Sequence, residues 1–555
     1  MRRQSSSGMT VVWLAVVVGI LMGGGSVKAD YVFGEPTNLG PVVNGAAHDG
    51  GCPSADGLSI FFDSNRAGGQ GNWDIWVTTR ETTDGEWTAP VNLGAPVNTS
   101  AWDGVAIVSP DGLTLYLSSD RPGGSGGLDL YATTRETKEA PWTTPVNLGS
   151  TVNSPSDDWS PYISADGLEL YFSSTRPGGE GGFDVWMATR VTIEDDWSTP
   201  VNLGPGTNSG ADELVPSICA DGLCFFFCSL RPGGYGSRDI WVMTRATRDD
   251  DWSAPANPGP PLNSSSMDQT ATLSADGSTV FFLSSRPGGY GGLDLMQVSL
   301  TPVVDFNGDG QVDGKEVLMM VEDWGQAESS CDIGPTPFGD GTVDIRDLRV
   351  LADYLGEPLD DPTLLAHWAL DETVGIVAIE TEGAAHGIVT GAAVWQPEGG
   401  RVAGALELNG SACVKTRCAL DPADGPFSVL AWVKGGSPGQ VIVSQEAGAN
   451  WLLLDPATGA LMTELKSESS SAKLLYSDAI IADGAWHRVA FAWDGSRRRL
   501  YVDDALVAED VEDTQDDLTA ASGNLTIGAG ATLAPDTYWT GLIDDVRIYN
   551  RAVRW

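Results

Sequence analysis

Basic side chains are scarce in this chain. Its 555 residues carry 31 Lys and Arg against 75 Asp and Glu, a formal net charge of −44. A surface that negative repels phosphate backbones and anionic lipid, which argues against nucleic acid and leaves neutral polymers, cations or a basic protein as partners. Histidine is nearly missing: His48, His367, His386 and His487 are scattered along the chain. The seven cysteines fit no zinc-site spacing, and an odd number cannot all pair within one chain. Long apolar runs are also few. Beyond residues 11–22, nothing approaches the ~18 residues of a membrane helix, so the mature chain is expected to have no membrane span. Charged residues are only 19% while glycines number 69, which excludes a disordered polyelectrolyte and fits a turn-rich, mainly β protein.

Arg2 and Arg3 precede the one apolar run, and Val27-Lys28-Ala29 follows it in the manner of a cleavage site. Residues 1–29 therefore read as a secretory signal, and a secreted, extracellular or cell-envelope location is expected. The remaining length exceeds what one core organises, so several domains are expected.

Internal repetition is the strongest signal. Arg66, Arg121, Arg176, Arg231 and Arg286 recur every 55 residues, as do the Asp-Gly pairs at Asp56, Asp111, Asp166, Asp221 and Asp276. Asp74, Asp129, Asp184, Asp239 and Asp294 keep the same spacing, and Trp87, Trp142, Trp197 and Trp252 each lead into a Pro-containing strand. Asp-Gly between apolar runs is a hairpin signal, and four short strands per unit make a propeller blade. Five units but only four Trp-led outer strands are present. The missing strand is found at residues 34–40, which predicts that this segment pairs into the last blade and closes a five-bladed ring over 30–302. Ser164-Ala165-Asp166-Gly167-Leu168 and Arg176-Pro177-Gly178-Gly179 resemble the WD40-like propeller repeats of TolB-type envelope proteins. That resemblance implies fold and says little about activity.

A different pattern occupies 303–360. Asp305-Phe306-Asn307-Gly308-Asp309-Gly310-Gln311-Val312-Asp313-Gly314-Lys315-Glu316 fits the twelve-residue EF-hand loop. Hard Ca²⁺ needs six or more oxygens, and Asp305, Asn307, Asp309, Gln311, Asp313 and Glu316 fall at the ligating positions, with Gly310 at the sharp turn. A helix over 317–324 is expected next. An altered second loop keeps Asp340, Thr342, Asp344 and Asp347; either Asp332 folds back as the missing ligand or the loop is vestigial and holds no metal, and a helix over 348–355 is expected after it. Two loop-helix units in so short a span resemble a dockerin, which implies Ca²⁺ as cofactor and a cohesin-like domain as a partner. Gly314-Lys315 and Ile345-Arg346 stand where that family's usual recognition pair is hydroxylic, which puts the cohesin in doubt.

Over 361–555 the repeat stops and short alternating runs take over, as in Phe427-Ser428-Val429-Leu430-Ala431-Trp432-Val433 and Gly541-Leu542-Ile543-Asp544-Asp545-Val546-Arg547-Ile548-Tyr549. Period-two alternation in many short segments predicts a β-sandwich. Their order resembles the LamG-like jelly roll of the concanavalin A-like superfamily, which contains both binding domains and hydrolases. No Glu-x-Asp-x-x-Glu set is present, and Asp544 and Asp545 are neighbours that a regular strand sends to opposite faces. Retaining glycosidase chemistry needs two carboxyls ~5 Å apart.

The expected fold is thus mainly β: a five-bladed propeller, a small α module of EF-hand type, and a C-terminal jelly roll. Trp73, Trp102, Trp159, Tyr235 and Tyr290, none of which is kept through all five blades, are candidates for stacking on sugars. Asp49, Asp103, Asp158, Glu213 and Asp268 either ring one mouth of the central channel or bond locally to a repeat arginine. Gly123-Gly124-Ser125-Gly126-Gly127 matches a nucleophile-elbow pattern, but no helix follows and no histidine is placed as a base. Cys219 and Cys224 flank a hairpin turn and can be joined; Cys413 and Cys418 can pair across a short loop; Cys52 and Cys331 have no evident partner. A non-catalytic binding protein for glycan or another cell-surface ligand is the favoured reading. A glycoside hydrolase or lyase, and a structural component of the cell surface, are the alternatives.

Overall fold

The computed structural model describes residues 31–553, apart from 46–47, 84, 246, 327–328, 335–338, 340–341, 357–360, 362, 384, 447, 467–473 and 511–517, and apart from the side chains of 48–50. The expected signal segment lies outside the described residues. The chain divides into two compact units: one holds the residues up to Val304 together with Val317–Leu355, the other holds Asp305–Glu316 and Gly356–Trp555. The segment expected as a single calcium module is thus shared between them. Among the described residues no helix is long and apolar enough to cross a membrane.

The first unit contains a five-bladed propeller. In blade three, Asp158–Ile163, Glu169–Ser174, Asp184–Thr189 and Val201–Asn202 form an antiparallel sheet in sequence order. The middle strands are buried at nearly every position, because each blade packs between two others; Phe62, Leu117, Phe172, Phe227 and Phe282 all fall at or below 1% exposure. The Trp-led segments supply a repeated clamp: Arg80, Arg135, Arg190 and Arg245 each lie 4.3–4.4 Å over the ring of Trp87, Trp142, Trp197 and Trp252. Blade four keeps only one bridge of its outer strand, Val242 to Ala256. In the other blades a leucine N–H continues this pairing, as in Leu203 to Val185 O at 3.2 Å. Blade four has Pro258 at that position, which carries no N–H.

The ring is closed by the N-terminal segment. Thr37–Asn38 pairs antiparallel with Asp294–Pro302, Thr37 opposite Gln297 and Asn38 opposite Met296. Tyr31–Phe33 extends the pairing along the same strand to Pro302. Asn44 then clamps Leu295 across 251 residues, accepting from its N–H and donating to its carbonyl, both at 2.9 Å. Asn98, Asn153, Asn208 and Asn263 make the same pair of bonds to the third strands of blades one to four. The N-terminus therefore supplies both the outer strand and the clamp that blade five lacks.

Two short helices follow the propeller strands: α1, Gly314–Glu322, and α2, Ile345–Ala352. Each begins three residues before its expected start. The cause is capping: Asp344 accepts from Arg346 N and Asp347 accepts from Asp344 N, and Asp313 with Glu316 repeats the arrangement at α1.

In the second unit two antiparallel sheets form a sandwich. One is centred on Phe427–Gly435, Trp486–Trp493 and Thr540–Tyr549, the other on Cys413–Ala419, Asn524–Ile527 and Val441–Gln445. Between them lie Trp368, Trp451, Trp493 and Trp539, all at or below 1% exposure.

Candidate functional site

The acidic residues on the inner strands of the propeller serve their own blades. Asp103, Asp158, Glu213 and Asp268 are wholly buried, and each pairs with its repeat arginine, Arg121, Arg176, Arg231 and Arg286, at 2.5, 2.5, 3.0 and 2.9 Å. A serine hydroxyl donates to each as well, from Ser119, Ser174, Ser229 and Ser284. Of the two readings of this set, local bonding holds for these four, and the side chain of Asp49 lies outside the described residues. The channel itself is narrow. Cys52, Ile107, Tyr162, Ser217 and Thr272, one from each blade at the 55-residue spacing, line it together. Ser125, the elbow candidate, gives its N–H to Asp129 like its counterparts in the other blades.

Residues that break the repeat gather elsewhere. Trp73 and Trp102, on adjoining segments of blades one and two, form a parallel bridge and line an open depression of about 790 Å³ with Asn65, Asn72, Asp120 and Leu128. Trp102 N donates to Asp120 Oδ1 at 2.7 Å, which fixes the carboxylate beside the indole, and the Trp102 ring lies over Gly104, where a β-carbon would come within 2.7 Å of it. At the position of Trp102 the next blades carry Asp157 and Asp212, each of which caps a backbone N–H at 3.0 Å. Asn65, Asn72 and Asp120 were not among the expected ligand residues. The signal that finds them is the same one that marks the tryptophans: Asp120 corresponds to Thr175, Leu230 and Ser285 in later blades, and Asn72 to Gly127, Gly182, Ser237 and Gly292.

The other aromatic candidates do not join this depression's lining. Trp159 packs on Phe183 with ring centroids 5.9 Å apart, against the buried cluster of Val105, Leu214, Val215 and Cys228. Tyr235 and Tyr290 stand on the Gly-rich loops of blades four and five, 52% and 54% exposed. Cys219 and Cys224 are joined by a disulfide across the Asp221-Gly222 turn. Cys413 and Cys418 are not joined. Both are buried on the one strand Cys413–Ala419, and extended backbone at ~3.3 Å per residue holds their sulfurs apart.

The first EF-hand-like loop is a cradle of backbone and carboxylates. Asp305 is wholly buried and accepts from Asp309 N at 3.1 Å and Gly310 N at 2.8 Å. Glu316, also buried, accepts from Asp313 N at 2.7 Å and from the Asn307 amide. Burial pushes the two carboxyls up, Asp305 to about 6 and Glu316 to about 7. Asn307 is 5% exposed, yet its Oδ1 meets no donor. Asp309 is paired with Lys315, and Asp313 Oδ1 accepts from Lys315 N at 2.7 Å. Among the described residues no three His, Cys, Asp or Glu side chains converge closely enough to hold a metal. In this loop, however, part of the donor set is amide and backbone oxygen. Two desolvated carboxylates beside an orphaned amide oxygen fit a hard divalent cation.

In the second loop the carboxylates are committed elsewhere. Asp347 accepts from Ile333 N, Gly334 N and Asp344 N at 2.7–2.8 Å, and Asp344 is held by Arg346. Asp332 is buried beside Gly339, Thr342 is exposed, and Asp340 lies outside the described residues.

In the sandwich, Asp544 and Asp545 sit at a bulge where Asp545 has φ +49°, so both are buried instead of alternating. Asp545 binds His367 at 2.8 Å and Arg547 at 3.1 Å, and these partners hold its carboxyl below the usual range. Asp544 Oδ2 accepts from Arg401 N and Val402 N at 2.6 and 2.8 Å, while its Oδ1 has no donor. Burial pushes it up to about 7. A proton held more tightly folded than unfolded stabilises the fold fully below the ordinary value of 3.8, and that contribution is lost as pH rises through about 7. Asp544→Asn is therefore expected to flatten the fall in sandwich stability between pH 4 and 8 by on the order of 2–4 kcal/mol, measured by denaturant melts across that range.

Residues 408–555 match the Laminin_G_3 family model, described as the concanavalin A-like lectin/glucanases superfamily. No curated protein sequence matches the chain. Among solved structures, domain 4 of AbnA, a GH43 extracellular arabinanase from Geobacillus stearothermophilus bound to arabinotriose, is similar at 21% identity and TM-score 0.28, covering 34% of this chain and 94% of that one. A Trypanosoma rangeli sialidase in complex with the inhibitor DANA is similar at 12% identity and TM-score 0.36, covering 95% and 92%. TolB from Acinetobacter baumannii is similar at 16% identity and TM-score 0.30, covering 45% and 54%.

Proposed function

We propose that this is an exported, modular carbohydrate-recognition protein that carries Ca²⁺ in the loop 305–316. The observation that carries the reading is the convergence of Trp73, Trp102, Asn65, Asn72 and Asp120 in one depression. Aromatic faces supply a stacking surface for sugar rings, and side-chain amides and a carboxylate supply the directional bonds hydroxyls need. The concanavalin A-like domain over 408–555 offers a second place for a glycan. Asp103, Asp158, Glu213 and Asp268 on the propeller's inner strands are taken up by arginines, so a hydrolase would have to assemble its acid and base from other groups.

A glycan array run with the whole protein and with Trp73→Ala and Trp102→Ala tests this. Each variant is expected to bind about tenfold more weakly to any glycan held by the propeller; Trp102→Ala also loses packing on Gly104 and Val105 and lowers the melting temperature, so Trp73→Ala is the variant that reads binding most directly. Unchanged binding by both variants sinks the propeller site, and release of reducing sugar by the protein replaces the reading with a hydrolytic one.

A docking role for the helical segment has its own support. Leu318, Val321 and Trp324, on and just after α1, are 63%, 58% and 47% exposed, spaced to form one apolar stripe. Capture of a cohesin-type domain with calcium, and its loss with chelator, would establish it.

A further inference from the structure

The loop 305–316 is fastened to the sandwich by the sandwich's own cations. Arg488 donates to Asn307 O at 3.0 Å and Gly308 O at 3.3 Å; Tyr549 Oη donates to Gly308 O at 3.0 Å; Arg551 donates to Asp305 O. Arg488, Arg547 and Arg551 are all buried, at 6–9% exposure. Each guanidinium also has a carboxylate outside the loop, Asp504, Asp545 and Asp361 in turn, and the loop's carbonyls complete the hydrogen bonding of groups that are costly to bury. The fit is close. At Gly308 a β-carbon would come within 2.9 Å of Val553, and at Gly310 within 2.5 Å of Arg547. Both glycines have positive φ, 65° and 79°.

We propose that the cation in this loop acts as a folding cofactor of the C-terminal sandwich, so that calcium and sandwich stability are linked, instead of serving only a detachable docking module. The inference rests on the calcium reading above and deepens it. Asp305 and Glu316 are buried, mutually repelling carboxylates in a loop whose backbone the sandwich has already fixed, and the Asn307 amide oxygen faces no donor. A divalent cation takes up both charges and that oxygen at once. The unfolded chain offers no such cradle, so binding draws the equilibrium toward the fold. The clamping residues lie 180–246 positions away in sequence, so the linkage reaches Trp486–Trp493 and Thr540–Tyr549, the strands that carry Arg488, Arg547 and Tyr549.

The test is hydrogen exchange by mass spectrometry on the full chain, with EGTA and with calcium, alongside calorimetric calcium titration. At calcium about a hundredfold above its dissociation constant, strands Trp486–Trp493 and Thr540–Tyr549 are expected to open about 100-fold less often, while Glu169–Ser174 in the propeller is unchanged. Glu316→Gln should abolish the effect. Tyr549→Phe, which keeps the ring and removes the hydroxyl that bonds Gly308 O and neighbours Arg547, should fold and bind calcium about two- to tenfold more weakly. If no calcium binds, the calcium reading and this inference fall together. If calcium binds but exchange in the sandwich strands does not change, or Tyr549→Phe binds as tightly as the native chain, the linkage alone is overturned.

Discussion

Arg176→Met is expected to destabilise the propeller by about 3–5 kcal/mol. Asp158 is wholly buried and its carboxylate meets Arg176 at 2.5 Å, Ser174 Oγ at 2.6 Å and Ser154 N at 2.5 Å. Removing the guanidinium leaves a charge in the core with two neutral donors. It also removes a donor to Val152 O at 2.6 Å and a cation lying 4.9 and 5.2 Å over Phe172 and Trp186. The double variant Asp158→Asn with Arg176→Met should recover much of the loss, since the amide carries no charge. Urea melts followed by exchange in Glu169–Ser174 read the effect on the propeller itself. Equal stability of the native chain and the single variant would mean that the inner-strand pair contributes nothing net, and the account of the blade would need replacing.

The second large effect is expected at the clasp. Asn44→Ala removes bonds to Leu295 N, Leu295 O and Asn38 Oδ1, of 2.9, 2.9 and 2.7 Å, and leaves the Leu295 peptide buried, at a cost of on the order of 2–4 kcal/mol. Asn98→Ala breaks the equivalent bonds in blade one. The two should differ in kind. Asn98 joins segments close in sequence, whereas Asn44 joins the two ends of the ring. Asn44→Ala is expected to raise exchange along Asp294–Pro302 and to broaden the propeller transition, and Asn98→Ala to lower its midpoint without broadening. A clasp variant with unchanged exchange in blade five would show that the ring holds without its N-terminal strand.

The propeller was legible because everything that defines a blade is local. Asp-Gly at 111 or 166 makes its hairpin from neighbours within a few residues, and the same chemistry five times over leaves one architecture that uses all of it. Even the closure could be counted, since an outer strand was missing at one end and present at the other. The capping of α2 was in principle readable from Asp344 and Asp347, but an EF-hand pattern competes for those same carboxylates, and sequence alone does not say which use prevails. The bulge at Asp545 was not readable. Its neighbour Asp544 looks like half of an alternating pair until the backbone turns to φ +49° and buries both.

The sequence by itself determined the number of blades, the strand that completes the wheel and the change to a sandwich after it, because each depends on spacing along the chain. Only the tertiary structure decided which charges are spent inside the fold, which aromatics share a depression, and that the loop at Asp305–Glu316 belongs with strands some two hundred residues later. Those outcomes depend on which groups are brought together and stripped of water. An aspartate capping a helix, one paired with an arginine in a core and one beside a tryptophan at the surface are the same letter until the chain is folded.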